Sequence, residues 1–548
     1  MDRRIGRTLN RGRISSGLHV FLLPVLCLSL LLCACLSGRT ADLPLPHPIP
    51  PPAEEDPPPA VRKLATTTTT TKPAASTTTT KQPAATTTTT TTKQPATTTT
   101  TPASSPATQT PASSGAQSAP IRVSSQPLRD ISGNIIPMNG SFGGGSILLP
   151  AAYAPKPNEF RGVWVATAYN LDFAKQTTTA EFQASFRALA AKIAALGFNT
   201  IMFQVRPNCD AFYKSAINPW SRWLTGEEGK ALDGGFDPLT FMIAESHRRG
   251  LKFYAWLNPY RVGQMASAGV STASYLKTLS AGNFARRNPE LVARWNDKNG
   301  NKTVFFLDPG RSEVVKHITD SVREILQNYR PDGIVFDDYF YPIGCDTACD
   351  AATYRKYAKK GQSQADWRRA NTELLVRTVS GTVRAFSRLN GVSIPFGVSP
   401  VGIWANRSET MPDAPPAMKG VEAYTQSYID IRKWVKNSWI DFVIPQVNWG
   451  FANVRAPFAG IVNWWADQVR GTNVKLYIGI GVYQAGVIAG MESPNEISNQ
   501  VLYLILRKEV SGVAFFAIRH CLNPENNAQK TSLRTVFNSY WRTPASSK

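Results

Sequence analysis

The chain has 548 residues and a formal net charge of +22, with 60 Lys and Arg against 38 Asp and Glu. Such a length allows several domains, but the N-terminal quarter is too poor in apolar side chains to build a core, so the globular part is expected from residue 158 onward. The positive balance suits anionic envelope polymers, membrane surfaces or nucleic acid; no basic run interleaved with aromatics forms a nucleic-acid platform, and no nucleic-acid partner is expected.

Five arginines, Arg3, Arg4, Arg7, Arg11 and Arg13, precede an apolar run from Val20 to Leu32, the charged and hydrophobic parts of a secretory signal. The run is short for a membrane span. Leu32, Cys33, Ala34 and Cys35 resemble a bacterial lipobox, so residues 1–34 are read as a lipoprotein signal peptide and Cys35 as the lipidated mature N-terminus. Leu36, rather than Asp, follows it, as in lipoproteins sorted to the outer membrane, which places the protein on that membrane's periplasmic face. Cys27 and Cys33 leave with the signal; Cys209, Cys345, Cys349 and Cys521 remain, and an oxidising compartment permits disulfides among them. Cys345 and Cys349 suit a local bridge that stiffens a loop. Zinc is the alternative, without a second Cys or His pair at ligand spacing, so neither metal nor cofactor is expected.

Residues 35–157 are read as a disordered Pro/Thr-rich linker and a Gly/Ser/Pro-rich lead-in. Thr tracts such as Thr66 to Thr71 and Thr86 to Thr92 lack the apolar surface that would offset ordering entropy. Extended at up to ~3.1 Å per residue, the linker would let a tethered domain reach far from its lipid.

From Glu159 the pattern becomes alternating strand and helix. Phe160 to Thr167 is the first strand, and Thr179 to Leu196 is an amphipathic helix stopped by Gly197. Strands follow at Thr200 to Pro207 and Lys252 to Arg261, with a helix from Pro238 to Arg249 between them. After an excursion containing Val304 to Asp308, a helix from Arg311 to Tyr329 leads to the run Pro331 to Pro342, PDGIVFDDYFYP. Helices at Trp367 to Leu389, Tyr428 to Ser438, Ile461 to Arg470 and Asn495 to Lys508 then precede strands at Ile394 to Pro400, Asp441 to Trp449, Lys475 to Gly481 and Gly512 to Ile518. Eight apolar strands alternating with helices predict an α/β fold, a (β/α)8 TIM barrel with long loops over residues 158–548. An open doubly wound sheet is the alternative, but no Gly-rich dinucleotide turn follows the first strand.

The fourth strand carries the chemistry. A Pro-Asp-Gly turn launches Ile334, Val335 and Phe336, which deliver Asp337 and Asp338 into an aromatic loop. Adjacent strand residues face different surroundings, and two carboxylates in unlike surroundings can be driven apart in pKa, as acid/base cleavage of glycosidic bonds requires. An Asp after a strand is often only a turn former. The paired Asp beside Tyr339 and Tyr341 favours function.

Barrel active sites lie at the C-terminal strand ends. Those ends supply Gln204, Arg206, Asn208 and Asp210; Asn258, Tyr260 and Arg261; Tyr339; Ser399 and Trp404; Gln446, Asn448 and Trp449; Tyr483 and Gln484; Arg519 and His520. Aromatic faces pack on sugar rings while Asn, Gln and Arg bind hydroxyls and acetamides, although each Trp taken alone is more often packing. No Gly-x-Ser-x-Gly elbow is present and Cys209 has no paired His. His247 and His317 fall in predicted helices, where a surface role is expected.

The stretches 160–165 (FRGVWV), 203–207 (FQVRP) with Asp210, 219–226 (PWSRWLTG), 236–239 (FDPL), 255–261 (AWLNPYR), 307–310 (LDPG) and 333–342 together resemble the bacterial glycosyl-hydrolase-like ten family. The best-known type of that family is a division-associated outer-membrane lipoprotein that cuts denuded peptidoglycan glycans. The resemblance implies a glycosidase acting on peptidoglycan strands that have lost their stem peptides, with a membrane attachment and cell-division partners. Two mechanisms stay open. In one, Asp337 is nucleophile or base and an acid, Asp210 or Glu409, comes from another loop. In the other, the substrate's N-acetyl group attacks, Asp337 orients it and Asp338 protonates the leaving oxygen. The alternatives are a non-catalytic glycan-binding module tethering the outer membrane to the wall, and a hydrolase of another envelope polysaccharide.

Overall fold

The computed structural model describes residues 121–265, 269–296, 302–415 and 418–542. The signal segment, Cys35 and the Thr tracts lie outside the described residues.

Eight parallel strands close into a barrel: β1 (Phe160–Val165), β2 (Thr200–Arg206), β3 (Lys252–Leu257), then β7 (Gly333–Phe336), β8 (Phe396–Val398), β9 (Phe442–Val443), β10 (Lys475–Gly481) and β11 (Val510–Phe516), with β11 pairing back to β1. They are the eight strands expected from the sequence. The excursion after β3 folds as an antiparallel sheet of β4 (Arg261–Met265), β5 (Val292–Asn296) and β6 (Thr303–Leu307), with β6 in the middle. Tyr254 of β3 pairs with Gly333 of β7, and Trp256 with Val335, so β7 sits beside β3 in the barrel wall despite the insertion.

A helix links each successive pair of barrel strands: α1 (Thr179–Ala195), α2 (Pro238–Arg248), α3 (Ser312–Asn328), α4 (Gln364–Asn390), α5 (Ile431–Lys436), α6 (Phe458–Val469) and α7 (Glu496–Tyr503). Local chemistry sets their ends. Thr178 and Glu181 form a reciprocal capping box at α1, and Asp237 caps α2 ahead of Pro238 at its first turn. Gly197 and Gly250, at φ +83° and +70°, supply the left-handed residues that release the chain after α1 and α2.

Alternation along the strands fills the barrel. At its N-terminal end Phe160, Tyr254, Phe442 and Tyr477 form one aromatic layer, Phe160 stacking on Tyr477 with ring centroids 3.9 Å apart. Gly333 and Gly397 make room for it: a Cβ at Gly333 would lie 2.8 Å from the Tyr254 ring, and one at Gly397 2.3 Å from that of Phe442. Above this layer come Trp164, Met202, Trp256, Val335, Ile444 and Ala514. The barrel is therefore a plugged core, open to chemistry only at its mouth.

Structure begins earlier than residue 158. Residues 121–150 make short bridges at Val123–Pro150, Arg129–Ile135 and Pro137–Ser146, and bury Ile136 and Ile147 in the main core. Two isoleucines scattered in a Gly- and Ser-rich run have no periodicity to announce them. Asn463 of α6 donates to Met138 Sδ at 3.1 Å, and Ser141 donates to the Val454 carbonyl at 3.3 Å, fixing this segment beside the loop after β9.

Candidate active site

Asp337 lies one residue past β7 and continues its inward face. Both carboxylate oxygens are occupied as acceptors, Oδ2 from Trp256 Nε1 at 2.9 Å and Oδ1 from the Tyr339 amide at 3.1 Å. Asp338, half-buried, turns towards β9, where its Oδ1 accepts from Gln446 Nε2 at 3.1 Å; the same amide donates to the Ser399 carbonyl. Burial raises both carboxyls above the ordinary range, and the neighbouring Asp338 charge raises Asp337 further. The N–H donors on each and the positive charge of Arg261 act in the opposite direction. Two adjacent carboxyls in such surroundings give up their protons in two separated steps that belong to the pair.

Arg261 opens β4 and stands at the mouth, its guanidinium 4.4 Å from the Tyr339 ring centroid and 5.8 Å from that of Tyr169. Both tyrosines are 39% exposed. Tyr169 in turn leans on Trp223 at 4.8 Å, so an aromatic rim runs from the first strand's loop to the acidic pair.

Beneath the rim lie most of the polar residues expected from β2 and β3. Gln204 accepts from the amides of Thr167 and Ala168 and donates to Asn258, tying three strand ends together. Arg206 is fully buried, donating to the carbonyls of Asn258 and Pro259. Asp210 is held by Ser221 Oγ at 2.7 Å and the Asn208 amide at 3.0 Å, and burial with the nearby Glu228 charge raises its carboxyl to about 6. Tyr260 is buried at the edge of Phe340. These five side chains brace the mouth from below. Among the described residues no hydrogen bond joins Asp210 to the acidic pair, and Glu409 is exposed on the loop after β8.

Two expectations need correction. Trp404 is buried, stacked near Trp464 with Arg432 4.5 Å over its ring, because the long loop after β8 folds back on α6 instead of opening to solvent. His317 is likewise no surface residue: it stacks on Phe284 at 3.8 Å beside Arg206, and burial presses its pKa down to about 2. His247 does sit at the surface, 2.7 Å from Asp332.

Gln446, Asn448 and Trp449 follow β9, half-buried around the mouth. Their loop is fastened by α7, where Gln500 donates to the Trp449 carbonyl at 3.1 Å and buried Glu496 accepts from the Phe451 amide at 2.9 Å. Tyr483 follows β10, its ring 6.1 Å from Phe516. Cys345 and Cys349 are bonded to each other just beyond the acidic pair, and Arg368, paired with Asp350, donates to the Cys345 and Asp346 carbonyls inside that loop. Cys209 and Cys521 are free and buried.

Three site residues escaped the sequence reading. Trp256 holds Asp337; Trp164 packs edge-on beneath it at 4.9 Å; Asp172 accepts from the Ala166 and Arg519 amides, closing the mouth between β1 and β11. A strand Trp normally signals core, and here it is core on every side but the indole N–H. Among the described residues no cluster of His, Cys, Asp and Glu could hold a metal ion.

A closed parallel barrel with a paired-carboxylate, aromatic-rimmed mouth defines the (β/α)8 class of carbohydrate-active proteins. Residues 159–495 match the profile of the family described as "Glycosyl hydrolase-like 10". The chain belongs to that family. It is 34% identical over 409 residues to "Glycosyl hydrolase DigH" of Escherichia coli strain K12, covering 71% of this chain and 90% of the relative. It is 33% identical over 391 residues to "Glycosyl hydrolase YngK" of Bacillus subtilis strain 168, covering 70% and 72%. Among solved structures it is similar to the PgaB (BpsB) glycoside hydrolase domain of Bordetella bronchiseptica, with a TM-score of 0.46 and 13% identity over 70% of this chain and 99% of that one.

Proposed function

We propose that the protein is a glycosidase that cleaves peptidoglycan glycan strands lacking stem peptides, with Asp337 and Asp338 as its catalytic centre. The observation that carries the reading is the pair itself: adjacent carboxyls, one buried and one half-buried, at the end of the fourth barrel strand, each held by different donors and both raised by burial.

Donor geometry supports a division of roles. Both oxygens of Asp337 already accept N–H groups and Asp338 leaves Oδ2 open at the half-exposed side. In the free site burial and the Asp338 charge favour the proton on Asp337, raised to about 8, and a bound sugar, whose acetamide N–H adds a third donor to Asp337, moves it to Asp338. In a 2-acetamido sugar bound at the mouth, the acetamide oxygen attacks the anomeric carbon while the bond to the leaving oxygen breaks. Ionised Asp337 accepts the acetamide N–H and Asp338 gives its proton to the leaving oxygen. Water then opens the cyclic intermediate, with ionised Asp338 taking up the proton that water loses. Tyr339, Tyr169 and Trp449 offer ring faces for the flanking sugars.

The Cys345–Cys349 bond supports an oxidising location, and a lipid on Cys35 would hold the enzyme to the outer membrane facing the wall. No helix among the described residues is long and apolar enough to cross a membrane. Partners in cell division belong to the same proposal. The test is digestion of purified strands, with and without stem peptides, by the full chain, with products separated and weighed. Short oligosaccharides from peptide-free strands alone support the reading; intact peptide-free strands overturn it.

A further inference from the structure

Arg261 carries more charge than a site for neutral sugars needs. Its guanidinium lies over two rings, 4.4 Å from the Tyr339 centroid and 5.8 Å from that of Tyr169, and among the described residues Asp337 and Asp338 reach it by charge without an ion-pair contact. Stacking on a ring uses a face of a guanidinium rather than its in-plane N–H edges, and those edges match a carboxylate two bonds at a time. The pairing of Arg261 with Phe306 across β4 and β6 fixes its backbone. Tyr339 directly follows Asp338, so the arginine stands beside the point of cleavage, and its charge reaches both members of the acidic pair. Arg519, another cation at the mouth, is engaged with His520 Nε2 at 2.9 Å.

A glycan strand stripped of its stem peptides differs from an intact one at a single group. Hydrolysis of the amide that joins peptide to the 3-O-lactyl arm of muramic acid leaves a free carboxylate there, once per disaccharide. In the intact strand the same carbonyl is a neutral amide with a peptide behind it.

We propose that Arg261 binds this free lactyl carboxylate on the muramic acid beside the scissile bond, and so selects strands without stem peptides. The proposal rests on the peptidoglycan reading above. It makes substrate choice a charge test at one residue, with the stacked tyrosines holding the guanidinium ready.

The experiment compares binding of the full chain carrying Asp338→Asn to two ligands: a peptide-free oligosaccharide of alternating N-acetylglucosamine and N-acetylmuramic acid, and the same oligosaccharide with its lactyl carboxylates capped as methylamides. The free acid should bind roughly tenfold to a hundredfold more tightly, as a charge-assisted bidentate pair implies. Adding Arg261→Gln should bring that ratio close to one, and Arg261→Lys should restore it only in part. Equal or undetectable binding of the two ligands, or a ratio unmoved by Arg261→Gln, overturns the proposal. The latter result together with a shifted pH profile would mean that Arg261 acts only on the acidic pair. Hydrolysis by the wild-type chain is scored separately. Its absence, with the ratio present and Arg261-dependent, would sink the glycosidase reading and leave the carboxylate site standing; hydrolysis without any ratio would do the reverse.

Discussion

Asp337 and Asp338 are neighbours in sequence held by opposite walls of the barrel, the first by Trp256 on β3 and the second by Gln446 after β9. Because burial raises both carboxyls, turnover should follow a bell in pH. It rises as the pair loses its first proton and falls as it loses the second, with the optimum above the ordinary carboxylate range of about 4. Trp256→Phe removes a donor to ionised Asp337, so the charged form becomes less favourable and the acidic limb moves to higher pH. A fall in kcat of roughly tenfold accompanies it, the cost of one hydrogen bond to a charge. An unmoved acidic limb in a pH–rate series would show that the indole does not act on the pair. The acidic pair stands out in the sequence because two Asp at the end of an apolar strand break the pattern. Trp256 does not, because an aromatic at an inward strand position fits the pattern whether or not its N–H has work.

Element ends locate the mouth, and short strands with glycine on the inner face let the aromatic layer below it close. Gly333→Ala would place a Cβ 2.8 Å from the Tyr254 ring, an overpacking that should cost about 1–3 kcal/mol. In a folded domain of this size that is roughly 1 °C of Tm per kcal/mol. The cost should shrink in a Tyr254→Leu background, which vacates the space, and thermal melts of the four chains in that cycle measure the coupling. The strands and their helices are legible because their apolar periods change from two to near four at Gly and Pro boundaries, and observed helix ends such as Thr179–Ala195 and Pro238–Arg248 fall within a residue of the expected ones. Loop conformation is not legible in that way. Whether Trp404 faces sugar or packs against Trp464 is decided by the path of a long loop, on which periodicity is silent.

At the scale of the whole molecule, several carboxyls are buried by folding: Glu496 is raised to about 7, and Asp172 and Asp210 to about 6, each chiefly by burial. In the unfolded chain these groups ionise near 4, so above that pH the native state binds the more protons, and stability falls as pH climbs through the folded values. His317 and His520, lowered to about 2 and about 4 by burial, act the other way, but only below about 6.5, where the unfolded imidazole gains its proton. Between pH 6.5 and 8 the carboxyls dominate, opposed only near the top of that window by Lys156, which burial lowers to about 8. Thermal midpoints should therefore be higher at pH 6.5 than at pH 8, and Glu496→Gln, which keeps a side-chain oxygen for the Phe451 amide, should reduce that difference. A midpoint that rises with pH across this window would contradict the assignment.

If this barrel breaks glycosidic bonds through its strand-end pair, turnover of peptide-free strands by the full chain must depend on both residues, and Asp337→Asn and Asp338→Asn measure that dependence. Each variant should lose activity by about two to four orders of magnitude, the usual contribution of a placed acid or base, while melting at or above the wild-type midpoint, since each removes a carboxyl whose charged form burial disfavours. Near-normal turnover in both variants, with the fold intact, would mean that the pair does not carry the chemistry.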